Sequence, residues 1–232
     1  MKKFCPTCEE LLICNDRDPS LGQCNGCGWR GHMGLARREP SVPTITPKLP
    51  FVSIDIETTG LDPVSCQTLE LGAVIDDWKS PIRDLPQFRR VLVHETVTGS
   101  PYAMALNANL LKLIASPDET LLFCKPADLG IQFAQWLKAN GFDPLSVQAA
   151  GKNFASFDMQ FLYQLPNFKT HVRFRHRVID PAILFWEPDD ERLPDSKTCY
   201  ERAGYDNKVA HTAIEDAQAV IWLVRQGIKR LG

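Results

Sequence analysis

Two acidic residues stand two positions apart in an otherwise apolar run, Ser53-Ile54-Asp55-Ile56-Glu57-Thr58. On a β-strand that spacing sends both carboxylates to one face. Crowded there, they repel each other and lose hydration, a cost that a bound cation removes and a solvated strand edge avoids. The pair alone leaves both readings open, and further acidic positions weigh toward the cation. Asp158 closes the segment from Gly151 through Asn153 and Phe154. That segment reads as passing from strand into helix, so the carboxylate falls in the helix's early turns, where the dipole favours it. Near the C-terminus, Thr212 and Glu215 have the spacing of a capping box, which starts the last helix at Ala213. His211 then lies on the approach and Asp216 in the first turn. An imidazole beside a carboxylate on a rigid helix suits a base that meets a water near bound metal. Either residue by itself also serves as an ordinary surface polar group.

A second constellation lies at the N-terminus. Cys5-Pro-Thr-Cys8 and Cys24-Asn-Gly-Cys27 are two Cys-x-x-Cys knuckles separated by fifteen residues. Their four thiolates can close one tetrahedral metal site. Zinc is the commoner structural partner of four thiolates, while iron shares the geometry. With the site complete, Cys14 and His32 read as structural. These knuckles resemble zinc ribbons, small modules often attached to enzymes that handle nucleic acids or proteins. Trp29 and Arg30 either stack on a base and contact phosphate or pack on the ribbon's own small core. A module of this size buries too little apolar surface to fold unaided, so one structural Zn²⁺ would supply much of its stability.

The rest of the chain must position these groups. Its 232 residues, 44% hydrophobic and 23% charged, exclude a disordered or low-complexity chain. The net charge of −2 lacks the bulk positive field of a protein that coats nucleic acid. The chain's positive excess falls at Arg37, Arg38 and Lys48 against Glu39, so the body after residue 50 is more acidic than the whole. Five of the eight cysteines fall within residues 1–27, which is not how a disulfide framework is distributed. The expectation is a reducing, cytoplasmic compartment, with no secretion signal and no membrane span. Pro40, Pro43, Pro47 and Pro50 make residues 36–50 a proline-rich linker, spanning up to about 45 Å if extended. It separates the cysteine module, 1–35, from a body, 51–232.

In the body, strands are expected over Phe51–Thr58, Thr68–Asp76, Arg90–His94 and Ser146–Ala150. Helices are expected over Ala103–Ile114, Ile131–Ala139 and Ala213–Val224. Strands first and strand–helix alternation afterwards indicate an α/β fold, a mixed sheet flanked by helices.

In this order, Asp55-Ile56-Glu57-Thr58-Thr59-Gly60, then Asn153 to Asp158, then His211 to Asp216, the motifs resemble the DEDDh family of 3′ to 5′ exonucleases on a ribonuclease H-like fold. Proofreading subunits of replicative polymerases, RNase T and the oligoribonucleases belong to it. The resemblance covers residues 51 to about 228, and Gly151–Leu165, Arg177–Asp180 and the closing helix look like phage and bacterial relatives of the group. It implies hydrolysis of single-stranded DNA or RNA from the 3′ end to nucleoside monophosphates. Asp55, Glu57, Asp158 and Asp216 would bind two Mg²⁺ or Mn²⁺, with His211 as general base. Such ions, ~3.5–4 Å apart, generate a nucleophile at neutral pH and stabilise charge on phosphorus, and four carboxylates neutralise two of them.

Thr58 and Leu61 match family positions that meet the terminal nucleotide, Thr58 by backbone or hydroxyl and Leu61 by packing on a base. Phe154 and Asn153 are expected along the same groove, with holding the turn as the equal alternative for Asn153. Asp180 before Pro181 reads as a helix cap. Arg173, Arg175, Arg177 and His176 form a dense basic cluster, open to phosphate contact and to a solvated edge alike. The partner expected is a single-stranded 3′ end, with a protein partner possible through the ribbon. The alternative to an enzyme is a nucleic-acid or protein-binding adaptor with a vestigial nuclease site, against which the intact acidic set speaks.

Overall fold

The computed structural model describes residues 49–117, 122–204 and 212–230, together with five short strands between Lys3 and Arg38. The chain divides into two compact units, Met1–Ile45 with Gly232, and Thr46–Leu231. In the first, β1 (Lys3–Phe4) pairs antiparallel with β5 (Arg37–Arg38). β2 (Ile13–Cys14), β3 (Leu21–Gln23) and β4 (Arg30–His32) form an antiparallel sheet. Arg37 and Arg38 were expected in the linker. They stand ahead of its first proline and so keep the amide donors that pairing needs. Cys5, Cys8, Cys24 and Cys27 lie outside the described residues, as do Trp29 and His211.

The second unit is built on a five-stranded mixed sheet. It contains β6 (Phe51–Thr58), β7 (Thr68–Asp76), β8 (Gln87–Leu92), β9 (Phe123–Cys124) and β10 (Ala149–Ala150), in the order β10-β6-β7-β8-β9. β6, β7 and β8 form an antiparallel meander, and β10 and β9 add parallel at the two edges. β8 begins three residues before the expected strand, because its polar residues Gln87, Arg89 and Arg90 hide the apolar signal that pairing with β7 makes unnecessary.

Alternation along β6 assigns its two faces. Val52, Ile54 and Ile56 enter the larger core with Leu71, Ala73, Phe133, Phe161 and Phe168. α3 (Pro126–Ala139), α4 (Asp158–Gln164) and α5 (Phe168–His171) contribute to this core. α3 starts ahead of its apolar repeat because Pro126 fits the first helical position. The other face carries Phe51, Ser53, Asp55 and Glu57. Phe51 meets Ala217, Val220, Ile221 and Val224 of α7 (Ala213–Arg230) there.

Residues 103–114 form two helices rather than one, α1 (Pro101–Leu106) and α2 (Ala108–Ala115), interrupted at Asn107. α6 (Ser196–Ala203) packs against α7. Among the described residues no helix is long and apolar enough to cross a membrane.

Candidate active site

Asp55 and Glu57 leave the α7 face of β6 near its C-terminal end. In register, Gly72 of β7 lies opposite Asp55 and Glu70 opposite Glu57. Gly72 has a steric reason for lacking a side chain: a Cβ there would lie 2.3 Å from the Ala213 carbonyl carbon and 2.5 Å from the Ile214 nitrogen. The start of α7 therefore rests directly on the sheet beside Asp55. Glu70, fully buried, receives the Ala213 N–H at 3.2 Å and forms an ion pair with Arg89. Thr212 accepts from the Glu215 N–H at 3.4 Å, the main half of the expected capping box, while the Glu215 carboxylate bonds the Thr212 hydroxyl rather than its backbone.

Anchored in this way, α7 brings Asp216 to β6. One oxygen each from Asp55, Glu57 and Asp216 lie within 4.8 Å of one another. Asp158 arrives from the opposite side of the strand. β10 ends at Ala150, opposite Ser53, so the Ile56 N–H lies beyond its reach, and Asp158 Oδ1 accepts that N–H at 3.2 Å. The turn between them passes close over β6, since a Cβ on Gly151 would lie 2.8 Å from the Ile54 carbonyl oxygen.

Electrostatics reflect this crowding. Burial holds the Asp55 carboxyl well above its ordinary range, and Asp158 and Asp216 push it further, opposed by Lys152. Burial lifts Glu57 to about 7 against a hydrogen bond from the Asn107 side chain, with Asp216 and Glu70 adding to the rise. Asp158 is raised to about 7 by burial, although the Ile56 N–H and Lys152 favour its ion. Burial and like charges thus both oppose ionisation of the cluster, the condition a divalent cation relieves. The donors are hard oxygens, which fit Mg²⁺ or Mn²⁺ better than a soft metal.

The expected nucleotide contacts divide. Leu61 is 85% exposed at the tip of the β6–β7 loop and free to meet a ligand. Thr58 is buried, its hydroxyl donating to the Gly60 carbonyl at 2.7 Å and its carbonyl accepting from Asn107 at 3.1 Å. Asn153 holds the turn with φ of 55°, its N–H donating to Asp180 at 3.1 Å. Phe154 departs from its expectation. Its ring is 1% exposed and packs edge-on against Phe174 at 4.9 Å, so it belongs to the core and not to a groove wall. Asp180 accepts from the Ala182 N–H at 2.9 Å and caps the turn at Pro181–Leu184 as expected.

Several residues at the site carried no motif signal. Lys152 extends its ammonium to within 3.5 Å of Asp216 Oδ1 and is itself 24% exposed. Asn107, in the break between α1 and α2, reaches Thr58 and Glu57. Gly99 lets Ser100 approach: a Cβ there would overlap Thr59, and the Ser100 N–H donates to the Thr59 carbonyl at 2.8 Å. Only the charge of Lys152, one residue after Gly151 in a motif already noted, was visible as a signal.

No protein-family model matches the chain, and no curated protein matches it in sequence. Solved structures do match in fold. Exonuclease I from E. coli in complex with a dT13 oligonucleotide superposes with a TM-score of 0.54 at 13% identity, over 78% of this chain and 42% of the other. A moderately thermophilic exonuclease I from Methylocaldum szegediense gives 0.55 at 15% identity, over 78% and 40%. The fold is therefore the ribonuclease H-like α/β fold of exonucleases. The chain spans about two fifths of the length of these neighbours.

Proposed function

We propose that this chain is a metal-dependent 3′ to 5′ exonuclease of the DEDDh group that releases nucleoside monophosphates from single-stranded nucleic acid, preceded by a zinc ribbon. The observation that carries the reading is the meeting of Asp55, Glu57 and Asp216 within 4.8 Å on an exonuclease-type sheet. Asp158 completes the acidic set. Together these four residues would hold two Mg²⁺ or Mn²⁺, which supply Lewis acidity toward the phosphate and acidify the attacking water.

The chain's own groups do the rest. His211, directly ahead of Thr212, takes the proton from the attacking water as general base, a role imidazole side chains commonly fill. Leu61 packs on the terminal base. Thr58 serves through the loop its hydroxyl braces, and Asn107 fixes the end of β6 that carries Glu57. Lys152, 3.5 Å from Asp216, would turn to a phosphate oxygen once a metal holds that carboxylate. Cys5, Cys8, Cys24 and Cys27 would hold one structural Zn²⁺, which elemental analysis of the purified chain tests at one per molecule.

Because the structural neighbours include exonuclease I bound to an oligothymidylate, single-stranded DNA is the first substrate to try, with RNA ends as the rival. The deciding experiment is digestion of DNA and RNA labelled at the 3′ or the 5′ end, with Mg²⁺ or Mn²⁺. Mononucleotide release from the 3′ end supports the reading. Tight binding without hydrolysis of any substrate would replace it with the adaptor.

A further inference from the structure

The sheet does not end at β10. Residues 173–179 run parallel beside it, bridging Phe174 to Val147 and Ile179 to Ala150. The Val147 N–H donates to the Arg173 carbonyl at 3.0 Å, the Arg175 N–H to Val147 at 2.9 Å and the Ile179 N–H to Ala149 at 3.0 Å. Between the two bridges this segment uses more residues than its partner, so it bulges outward around His176 and Arg177. Phe174 points into the core, whereas Arg173, Arg175, His176 and Arg177 are all exposed.

These arginines differ from the others near the body's acids. Arg89, Arg202 and Arg225 each pair with a carboxylate. Among the described residues, no carboxylate pairs with Arg173, Arg175 or Arg177. Two of the three are braced by neutral acceptors instead: Arg175 Nε donates to the Ser146 carbonyl and hydroxyl, both at 3.2 Å, and Arg173 Nε to the Lys169 carbonyl at 3.3 Å. Bracing a guanidinium without neutralising it leaves a pre-oriented positive charge at the surface.

The segment also leads to the site. Its end is tied to the 151–153 turn, with the Gly151 N–H donating to Ile179 at 3.0 Å and the Asn153 N–H to Asp180 at 3.1 Å. That turn carries Lys152, which lies against Asp216. Three arginines without a carboxylate partner thus line one edge of the sheet, and the turn at its end carries Lys152, paired with Asp216 of the carboxylate cluster, on a chain whose net charge is negative. A ligand that matches must be an extended, repeating anion with one end at the cluster.

We propose that the bulged edge at Arg173, Arg175 and Arg177 binds the phosphate backbone of a single strand whose 3′ end occupies the carboxylate cluster. This rests on the exonuclease reading. Each guanidinium takes a phosphate by charge-assisted hydrogen bonds, without reading base identity.

The test uses the full chain with Arg173→Gln, Arg175→Gln and Arg177→Gln combined, and separately with all three changed to Lys. Binding of a labelled oligothymidylate of about 16 nucleotides is measured in an Asp55→Asn background across about 50–200 mM salt. The Gln protein should lose about 10–100-fold in affinity at the low-salt end. The slope of log K on log salt should fall by about 2, near 0.7 for each of three phosphates. The Lys protein should regain most of that slope. With Asp55 intact, the ratio of kcat/KM on the long strand to that on a dinucleotide should drop in the Gln protein.

An unchanged slope with melting temperature preserved would overturn the proposal. So would increased self-association with unchanged binding, which would make the arginines guards of an exposed sheet edge. If no form hydrolyses any substrate, the exonuclease reading fails, and the salt slopes still decide the edge.

Discussion

α7 meets the sheet at two charged places, and they are built on opposite plans. Toward its C-terminal half, Arg225 grips the fully buried Asp76 with two nitrogens, at 2.5 and 3.1 Å, and donates again to the Ser80 carbonyl at 2.8 Å. The Trp78 N–H adds a bond to the same carboxylate at 2.7 Å. Asp76 is matched by Arg225, which also lies 3.7 Å from Asp77, and three hydrogen bonds satisfy the buried carboxylate. At its N-terminal end the same helix brings Asp216 to Asp55 and Glu57, with Asp158 close by, and Lys152 reaches Asp216 at 3.5 Å. The first arrangement is complete as protein. Among the described residues the second sets four carboxylates against one lysine, an excess of negative charge that a bound cation would neutralise. The contrast separates buried charge matched within the protein from buried charge that crowds like with like, the pattern on which the proposed metal site rests.

The largest effects should come from breaking the unmatched end. Asp55→Ala, Glu57→Ala, Asp158→Ala or Asp216→Ala should each lower hydrolysis by at least about 10²–10³-fold, the range for removing one pre-organised electrostatic group. The metal-free fold should keep or slightly gain melting temperature, because each change relieves repulsion. Nuclease assays beside thermal melts check both halves, and retained activity in two of the four would move the site elsewhere.

The matched end should answer in the reverse sense. Arg225→Met alone leaves Asp76 buried and unpaired, at a cost of about 3–5 kcal/mol. Each kcal/mol lowers Tm by about 2–4 °C for a chain of this size. Activity per folded molecule should change little, and Asp76→Leu with Arg225→Met should recover most of the lost stability. A fall in kcat larger than the fall in folded fraction would tie this pair to the chemistry as well.

Proton linkage sharpens the contrast further. Glu57 and Asp158 have ordinary values of 4.5 and 3.8, and the fold raises both to about 7. Between about pH 4.5 and 7 the folded state therefore binds more protons than the unfolded chain. Stability of the metal-free protein should fall as pH rises through that window and level off above it. Mg²⁺ or Mn²⁺ should restore stability at the upper end, where the carboxylates are ionised. Melts with and without metal across the range decide the point; a slope of opposite sign would mean that the acids are already neutralised by the protein.

The smallest effect concerns Lys152. Lys152→Gln removes the cation beside Asp216 and should cost about 1 kcal/mol or less in metal-free protein at pH 7.5, as for other partly exposed pairs. Saturating Mg²⁺ should abolish the difference, because the metal then carries the compensating charge. A loss that persists with metal would make Lys152 a structural prop like Arg225.

The sequence by itself determined the strand β6, the start of α7 and the acidic residues on both, because these signals are local. Alternation of apolar residues marks a strand, a Thr and a Glu three apart mark a helix start, and Asp55 and Glu57 must share a face once the strand is granted. The four acids could be ordered along the chain, yet their convergence depends on contacts with no local trace. Gly72 admits α7 to the sheet, Glu70 receives its first N–H, and Asp158 takes an Ile56 amide that the short β10 leaves open. The pairings of Lys152 with Asp216 and of Asn107 with Glu57 left no local trace for the same reason: each residue lies far along the chain from the carboxylate it meets. Phe154 shows the limit from the other side, since motif position put it near the substrate while packing against Phe174 buried it. Residue type and spacing declare what chemistry is affordable, and only the close approach of distant backbones decides which side chains share it, because sterics and desolvation act on neighbours in space.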